Sequence, residues 1–474
     1  MNANIHMINI GEVHAKASFQ SMGLPRAPRG GDHLKGERYM THSTRFVRSA
    51  AVVAVTAFSV FGLAACSTDN GAASDSGPIE ISYLHRLPDG EGMTPVSEIV
   101  ARWNKENPDI QVKATKFDGA ATDMILKLET DVKAGNADCL AQVGYSEVPQ
   151  MFVKGLLEDV ADEAAQYADD FSSGAYAMMT VGDAVVGLPQ DTGPLVYYYN
   201  ATEFEKLGLP VPTTLDELSS DAATAAAAGK YVAAFTPDEA LSWLSAQAAA
   251  AGDSWFGATK DGWTVDTEGA GSQKVAAFWQ NLVNNKQTLV TERWGEAFTQ
   301  ALNNTSLIGH VGAAWEAGFL LDSLDGTPAE GQWRIAQLPD FGAGALTGPD
   351  GGSGVAVMKG CEHPAEAMEF NDWFNTQIDD LASQGLVVAA NGTPTTSDKM
   401  LRQFGGQDVL AELATASGNL NPDFVYAPGF ASLTKMNETA SGVGAGTATV
   451  ADIFTTAQTT AVATLEDLGL PVAK

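Results

Sequence analysis

Positive charge is scarce in this sequence: 27 Lys and Arg stand against 58 Asp and Glu, a formal net charge of −31. From Cys66 onward the disparity is 20 against 55. A field of that sign repels phosphate backbones, which excludes nucleic-acid binding, and it suits solubility outside a cell. Histidine is nearly as sparse. Beyond Cys66 only His85, His310 and His363 occur, far apart and without the HExxH or CxxC spacing of a metal site, so no metal and no cofactor are expected. There is no G-x-S-x-G elbow, and the histidines offer no usable triad. No catalytic residue is assigned. The sequence also lacks an internal repeat.

What is present is a large chain of ordinary globular composition. At 474 residues and 45% hydrophobic content it exceeds what one compact core holds, and two domains are the first expectation. Residues 79–85 (IEISYLH) alternate as a strand, and PVSEIVARWNKENPDI (95–110) has helical spacing that stops near Asn107-Pro108. IQVKATKFD (110–118) and CLAQVGY (139–145) are further strands, and 121–134 and 148–160 further helices. Strands alternating with helices indicate an α/β fold with a mostly parallel sheet. Later helices are read at 238–252, 271–286, 363–376 and 450–469, and a strand at 354–360.

The N-terminus reads as an address. Arg45 and Arg48 precede an apolar stretch of 14 residues, Ala50 to Leu63, too short to span a bilayer as a stable helix. Leu63-Ala64-Ala65-Cys66 follows and resembles the lipobox of bacterial lipoproteins. That resemblance implies acylation of the Cys66 thiol and cleavage before it. Residues 40–65 are then a signal peptide, and STDNGAASDSG begins a polar tether over 66–78. Residues 1–39 fit no export signal, and Met40 is read as the true start. Removing Cys66 leaves Cys139 and Cys361, enough for one bridge in an exported compartment, with two free thiols as the alternative.

Five segments carry a family resemblance: PVSEIVARWNKENPDIQVK, KAGNADCLAQVGYSEVPQMFVKGLLEDV, GLPQDTGPLVYYYNATEFEKLGLPVPTTLDEL, GSGVAVMKGCEHPAEAMEFNDWF and NGTPTT. In this order they are similar to the large extracellular solute-binding proteins of sugar importers of the ABC type, the group that includes maltose-binding protein. The resemblance implies two lobes, 79–191 with 354–394 and 195–350 with 400–474, each with a central mostly parallel sheet flanked by helices. Crossings are expected at 191–195, 351–355 and 393–400, where Gly193-Pro194 and Gly351-Gly352 supply turn-forming residues. By the same topology the strands holding Cys139 and Cys361 are neighbours, which implies a disulfide. A lipid-anchored monomer on the outer face of the cell membrane, delivering a carbohydrate to permease subunits, is the implied role.

A sugar needs aromatic rings for its C–H face and paired polar groups for its hydroxyls. Open α/β sheets hold ligands at the carboxyl ends of strands. There the sequence offers His85, Arg86 and Asp89 after the first strand, Tyr145 and Glu147 after the third, and Asp191 at the first crossing. The resemblance adds Trp243, Trp315 and Glu316, together with Gly352 at the second crossing and Tyr426 in NPDFVYAPG. Trp294 is a further candidate, whereas Trp255, Trp279, Trp333 and Trp373 are read as core. A polyamine, a phosphate ester or a metal chelate is a rival ligand, and a secreted glycosidase a rival activity. Basic residues are too few to favour the phosphate ester. Replacing Cys66 with Ala is expected to abolish incorporation of labelled fatty acid and to release the protein from the membrane fraction; continued labelling would refute the lipobox reading.

Overall fold

The computed structural model describes residues 77–90, 93–119, 121–259 and 261–473. The readings made for 1–65, for Cys66 and for the tether up to residue 76 lie outside these residues. Within them, eight strands form one mixed sheet: β1 (Ile79–His85), β2 (Ile110–Lys116), β3 (Leu140–Gly144), β4 (Gly187–Asn200), β5 (Gly309–Ala313), β6 (Trp333–Gln337), β7 (Pro349–Val357) and β8 (Val387–Val388). The order is β5-β4-β7-β3-β1-β2, with β6 and β8 also paired to β4. β1 lies parallel to β2 and to β3, while every pairing of β4 and β7 is antiparallel.

Separate, mostly parallel sheets were expected, and the difference has a local cause. β4, GLPQDTGPLVYYYN, is buried at every position except Tyr199. A strand buried on both faces reads as continuously apolar and needs partners along its whole length. It pairs with β7 and β8 through its first half and with β5 and β6 through its second. Gly193-Pro194, read as a turn, therefore lies in mid-strand. Pro194 is tolerated because its missing N–H falls between the end of the pairing with β8 at Thr192 and the start of the pairing with β5 at Leu195. A Cβ on Gly193 would lie 2.5 Å from the Asp350 carbonyl oxygen, so only glycine admits β7 there.

Likewise β7 begins at Pro349, before the expected 354, and runs through Gly351 and Gly352 as a strand with a register irregularity. Those two glycines hold φ of 92° and 99°, a region closed to most side chains. The helix expected over 148–160 stops at Val153, because Gly155 adopts φ 71° and Leu157 bridges to Met358.

Apolar spacing explains the covering helices. Val96, Ile99, Val100 and Trp103 form the buried stripe of helix Val96–Glu106. Trp103 packs against Phe370 at 5.4 Å and Trp373 at 5.3 Å from helix Pro364–Asn375. One apolar cluster draws on residues 81–188 and 355–390, another on 196–335 and 382–416. The largest, running from Leu84 to Ala461, takes in both regions. Trp255, Trp279 and Trp333 are fully buried.

The bridge between Cys139 and Cys361 is present, its Cα atoms 4.6 Å apart and 222 residues distant in sequence. It sits where β3 starts and just after β7, next to the hydrogen bond from Met358 N to Cys139 O at 2.9 Å. Closing so long a loop restricts the unfolded chain, a stabilisation of roughly 2–4 kcal/mol. Reduction with dithiothreitol, or Cys139→Ser with Cys361→Ser, should lower the melting temperature by several degrees; an unchanged transition would refute a stabilising bridge.

Candidate functional site

The carboxyl ends of β1 and β3 and the middle of β4 bring one group of side chains together. Arg86 donates its backbone N–H to Gln142 Oε1 at 2.7 Å, and its guanidinium acts electrostatically on both Glu147 and Asp191. Asp191 is buried, receives the Ser353 hydroxyl, and is pushed up to about 6 by burial, against the lowering effect of Ser353 and Arg86. Ser353 Oγ in turn accepts from Gln142 Nε2 at 3.1 Å. Glu147 folds back to accept the Gly144 N–H at 2.8 Å, and burial raises it above the usual carboxylate range.

Two members of this end have structural duties. Asp89 Oδ1 accepts from Val96 N and Gln384 Nε2, each at 2.9 Å, and so caps the first helix at φ 49°. His85 is buried, which brings it down to about 4, and its Nδ1 accepts the Leu87 N–H at 3.3 Å. Both were expected as ligand contacts; Asp89 Oδ1 and His85 Nδ1 are engaged inside the protein.

A second group gathers where β5 ends and helix Glu316–Leu324 begins. Arg293, fully buried, donates Nη1 to Asp350 Oδ2 at 2.9 Å and Nη2 to Glu316 Oε1. Glu316 also accepts the Ala313 N–H at 2.6 Å and Trp294 Nε1 at 2.9 Å, and His310 Nε2 lies 2.9 Å from it. Burial raises Glu316, but Arg293 and His310 outweigh it and hold the carboxyl down to about 2. Asp350 stays above its usual value because burial dominates there. Glu239, at the start of helix Ala240–Ala250, is only partly buried and is pushed up to about 7, by burial first and then by Asp350, Asp238 and Glu316, against Arg293.

Trp315 stands at the edge of this network. Its Nε1 donates to Asp350 O at 2.9 Å, and Arg293 Cζ lies 4.7 Å from its ring centroid. The indole remains partly exposed. Gly351 and Gly352 join the two groups: a Cβ on the first would come within 3.1 Å of Trp315 Nε1, and one on the second within 2.8 Å of the Tyr145 ring. Glycines there let both rings approach β7.

Tyr145 and Tyr426 are placed differently. They line a cavity of about 660 Å³ with Pro149, Met178, Leu346 and Asn421, and that lining carries no charged side chain and does not include Trp315. Trp243 corrects the expectation of a ligand platform: it is wholly buried against Phe235 and Trp279, and its Nε1 donates to Val311 O at 2.9 Å. Glu316 is likewise enclosed, so its carboxylate serves Trp294 and Arg293. Trp294 is only partly buried, at φ 57°, with its N–H taken by Glu316.

Arg293, Asp350 and Glu239 were missed. No spacing marks them: Arg293 follows Glu292 directly, and its acidic partners lie 23 and 57 residues away. The one available signal was Asp350 preceding the glycine pair. Among the described residues no cluster of His, Cys, Asp and Glu could hold a metal ion.

Residues 98–382 match the family described as bacterial extracellular solute-binding protein. The galacto-N-biose-/lacto-N-biose I-binding protein of the ABC transporter from Bifidobacterium longum, solved in complex with lacto-N-biose, is 53% identical, with a TM-score of 0.80 over 84% of this chain and 100% of that one. A lactose-binding protein of Rhizobium radiobacter is 23% identical over 67% of this chain and 78% of its own length. An uncharacterised lipoprotein of Streptomyces antibioticus is 24% identical over 66% and 69% respectively.

The raised and lowered acids predict opposite pH effects. Asp191 and Glu239 bind protons more tightly folded than unfolded, so their contribution is full below about 4 and is lost as pH rises through about 6 and 7. Glu316 contributes above its usual 4.5 and loses that contribution as pH falls toward 2. Ligand-free melting temperature should therefore fall between pH 5 and pH 8, and Glu239→Gln should flatten that limb; an identical slope in the variant would refute the assignment.

Proposed function

Because this chain belongs to the bacterial extracellular solute-binding proteins, we propose that it captures a disaccharide, of the kind its Bifidobacterium longum relative binds, and delivers it untransformed to an ABC-type permease. The observation that carries this reading is Trp315. A partly exposed indole, fixed through its N–H to Asp350 O and backed by a guanidinium, is a preformed stacking surface for the apolar face of a sugar. Glu147, Glu239 and Asp191 supply acceptors and Arg86 a donor near the same glycine pair, and the raised acids can also donate when protonated. The paucity of cations suits a neutral ligand.

In this reading the segments 79–191 with 354–394 and 195–350 with 400–474 act as two lobes. They move about the crossings at 191–195, 351–355 and 393–400. A ligand touching both stabilises the closed arrangement, which the permease recognises. The protein works as a monomer held at the outer face of the cell membrane through acylated Cys66, consistent with a lipoprotein among its relatives.

Titration calorimetry with lacto-N-biose, galacto-N-biose, lactose and a polyamine tests the ligand class. Heat of binding is expected from at least one of the disaccharides and none from the polyamine; silence toward every sugar would overturn the proposal. Trp315→Ala should weaken the responding sugar by roughly tenfold or more, since truncating an aromatic anchor costs about 2 kcal/mol.

A further inference from the structure

The Arg293 network has a shape that burial alone does not explain. Taking a guanidinium and two carboxylates out of water is costly, and a well-packed apolar set of similar volume would be as stable or more so. Here Arg293 and Glu316 are each about 1% exposed at the side chain and Asp350 about 3%. The three come from different elements: the segment before helix Glu296–Asn303, the start of helix Glu316–Leu324, and the crossing strand β7. Each also holds something further. The Arg293 backbone N–H is fixed by Asp238 Oδ1 at 2.9 Å. Glu316 ties the end of β5 through Ala313 N and His310. Asp350 offers its side chain to Arg293 and its carbonyl to Trp315 Nε1.

The indole of Trp315 is thus gripped at two points by groups that are themselves joined by an ion pair. Its N–H is held by the Asp350 backbone, and its face is covered by the guanidinium that the Asp350 side chain anchors. A planar guanidinium can stack on a ring while both of its terminal nitrogens remain bonded, which an ammonium cannot do. The next residue after Asp350 is Gly351, at the crossing.

We propose that Arg293 is a positioning residue for sugar capture: stacked on Trp315 and paired with Asp350, it fixes the angle of the ring relative to the crossing strand. Contact made by a sugar at the ring is thereby transmitted to β7. This rests on the reading that Trp315 meets the ligand. Arg293 itself, enclosed on all sides, does not touch the sugar.

A double-mutant cycle separates this role from a general contribution to folding. In the wild-type background Arg293→Gln is expected to raise the Kd for the responding disaccharide roughly tenfold. In a Trp315→Ala background the same substitution should change Kd by less than about twofold, because the group it acts through is gone. An equal loss in both backgrounds would overturn the inference. Normal sugar affinity in Trp315→Ala alone would instead overturn the site reading on which it rests, so the two failures are distinguishable. Should Arg293→Gln fail to fold, Arg293→Lys and Asp350→Asn replace it. Arg293→Lys keeps the charge without the flat stacking face and should show weakened binding at near-native melting temperature; wild-type affinity in that variant would refute a role for the planar guanidinium.

Discussion

The main sheet is built on a strand that is almost wholly buried. β4 is buried at all but one of its positions, so each of its backbone groups must find a protein partner. Four neighbours share that duty, two on each half. The change of neighbours at Pro194 places the end of β5, the start of β7 and the tip of β3 around one short stretch of chain. The polar residues of the site are there because the backbone brings three strand ends to the place where the ladder is handed over. Their burial, and hence their shifted acidities, follows from the same geometry.

Much of this was legible. Helix Val96–Glu106 announced itself by Val96, Ile99, Val100 and Trp103, and the residues that end it are Asn107 and Pro108. β1 and helix Ala121–Ala134 fall where periodicity put them. The glycine pair at 351–352 was read as turn-forming and lies within a strand. Glycine signals freedom from a Cβ, which serves a turn and also serves a strand that two aromatic rings must approach; sequence alone does not separate the two.

The site was less readable, for a definite reason. Aromatic rings and acids at strand ends can be picked out one by one, but whether a ring is platform or core depends on what packs against it. Trp243 and Trp315 look alike in sequence. Trp243 falls between Phe235 and Trp279 and disappears. Trp315 meets β7 and remains partly exposed. Arg293 was invisible because its partners are brought from three separate elements, and no local pattern records a contact of that kind. Asp89 was picked for its place after the first strand and Glu316 through the family resemblance, yet Asp89 Oδ1 accepts the Val96 N–H and Glu316 anchors an arginine.

The Cys139–Cys361 bridge has a topological side as well. It closes a covalent ring of chain that contains β3 to β7 and every residue named in the cluster around Arg293. A protease that cuts once anywhere within that ring leaves two fragments still joined as one molecule. On the outside of a cell, where such enzymes are met, a nick in a surface loop of the enclosed segment need not separate Trp315 from the strand ends at Arg86 and Glu147.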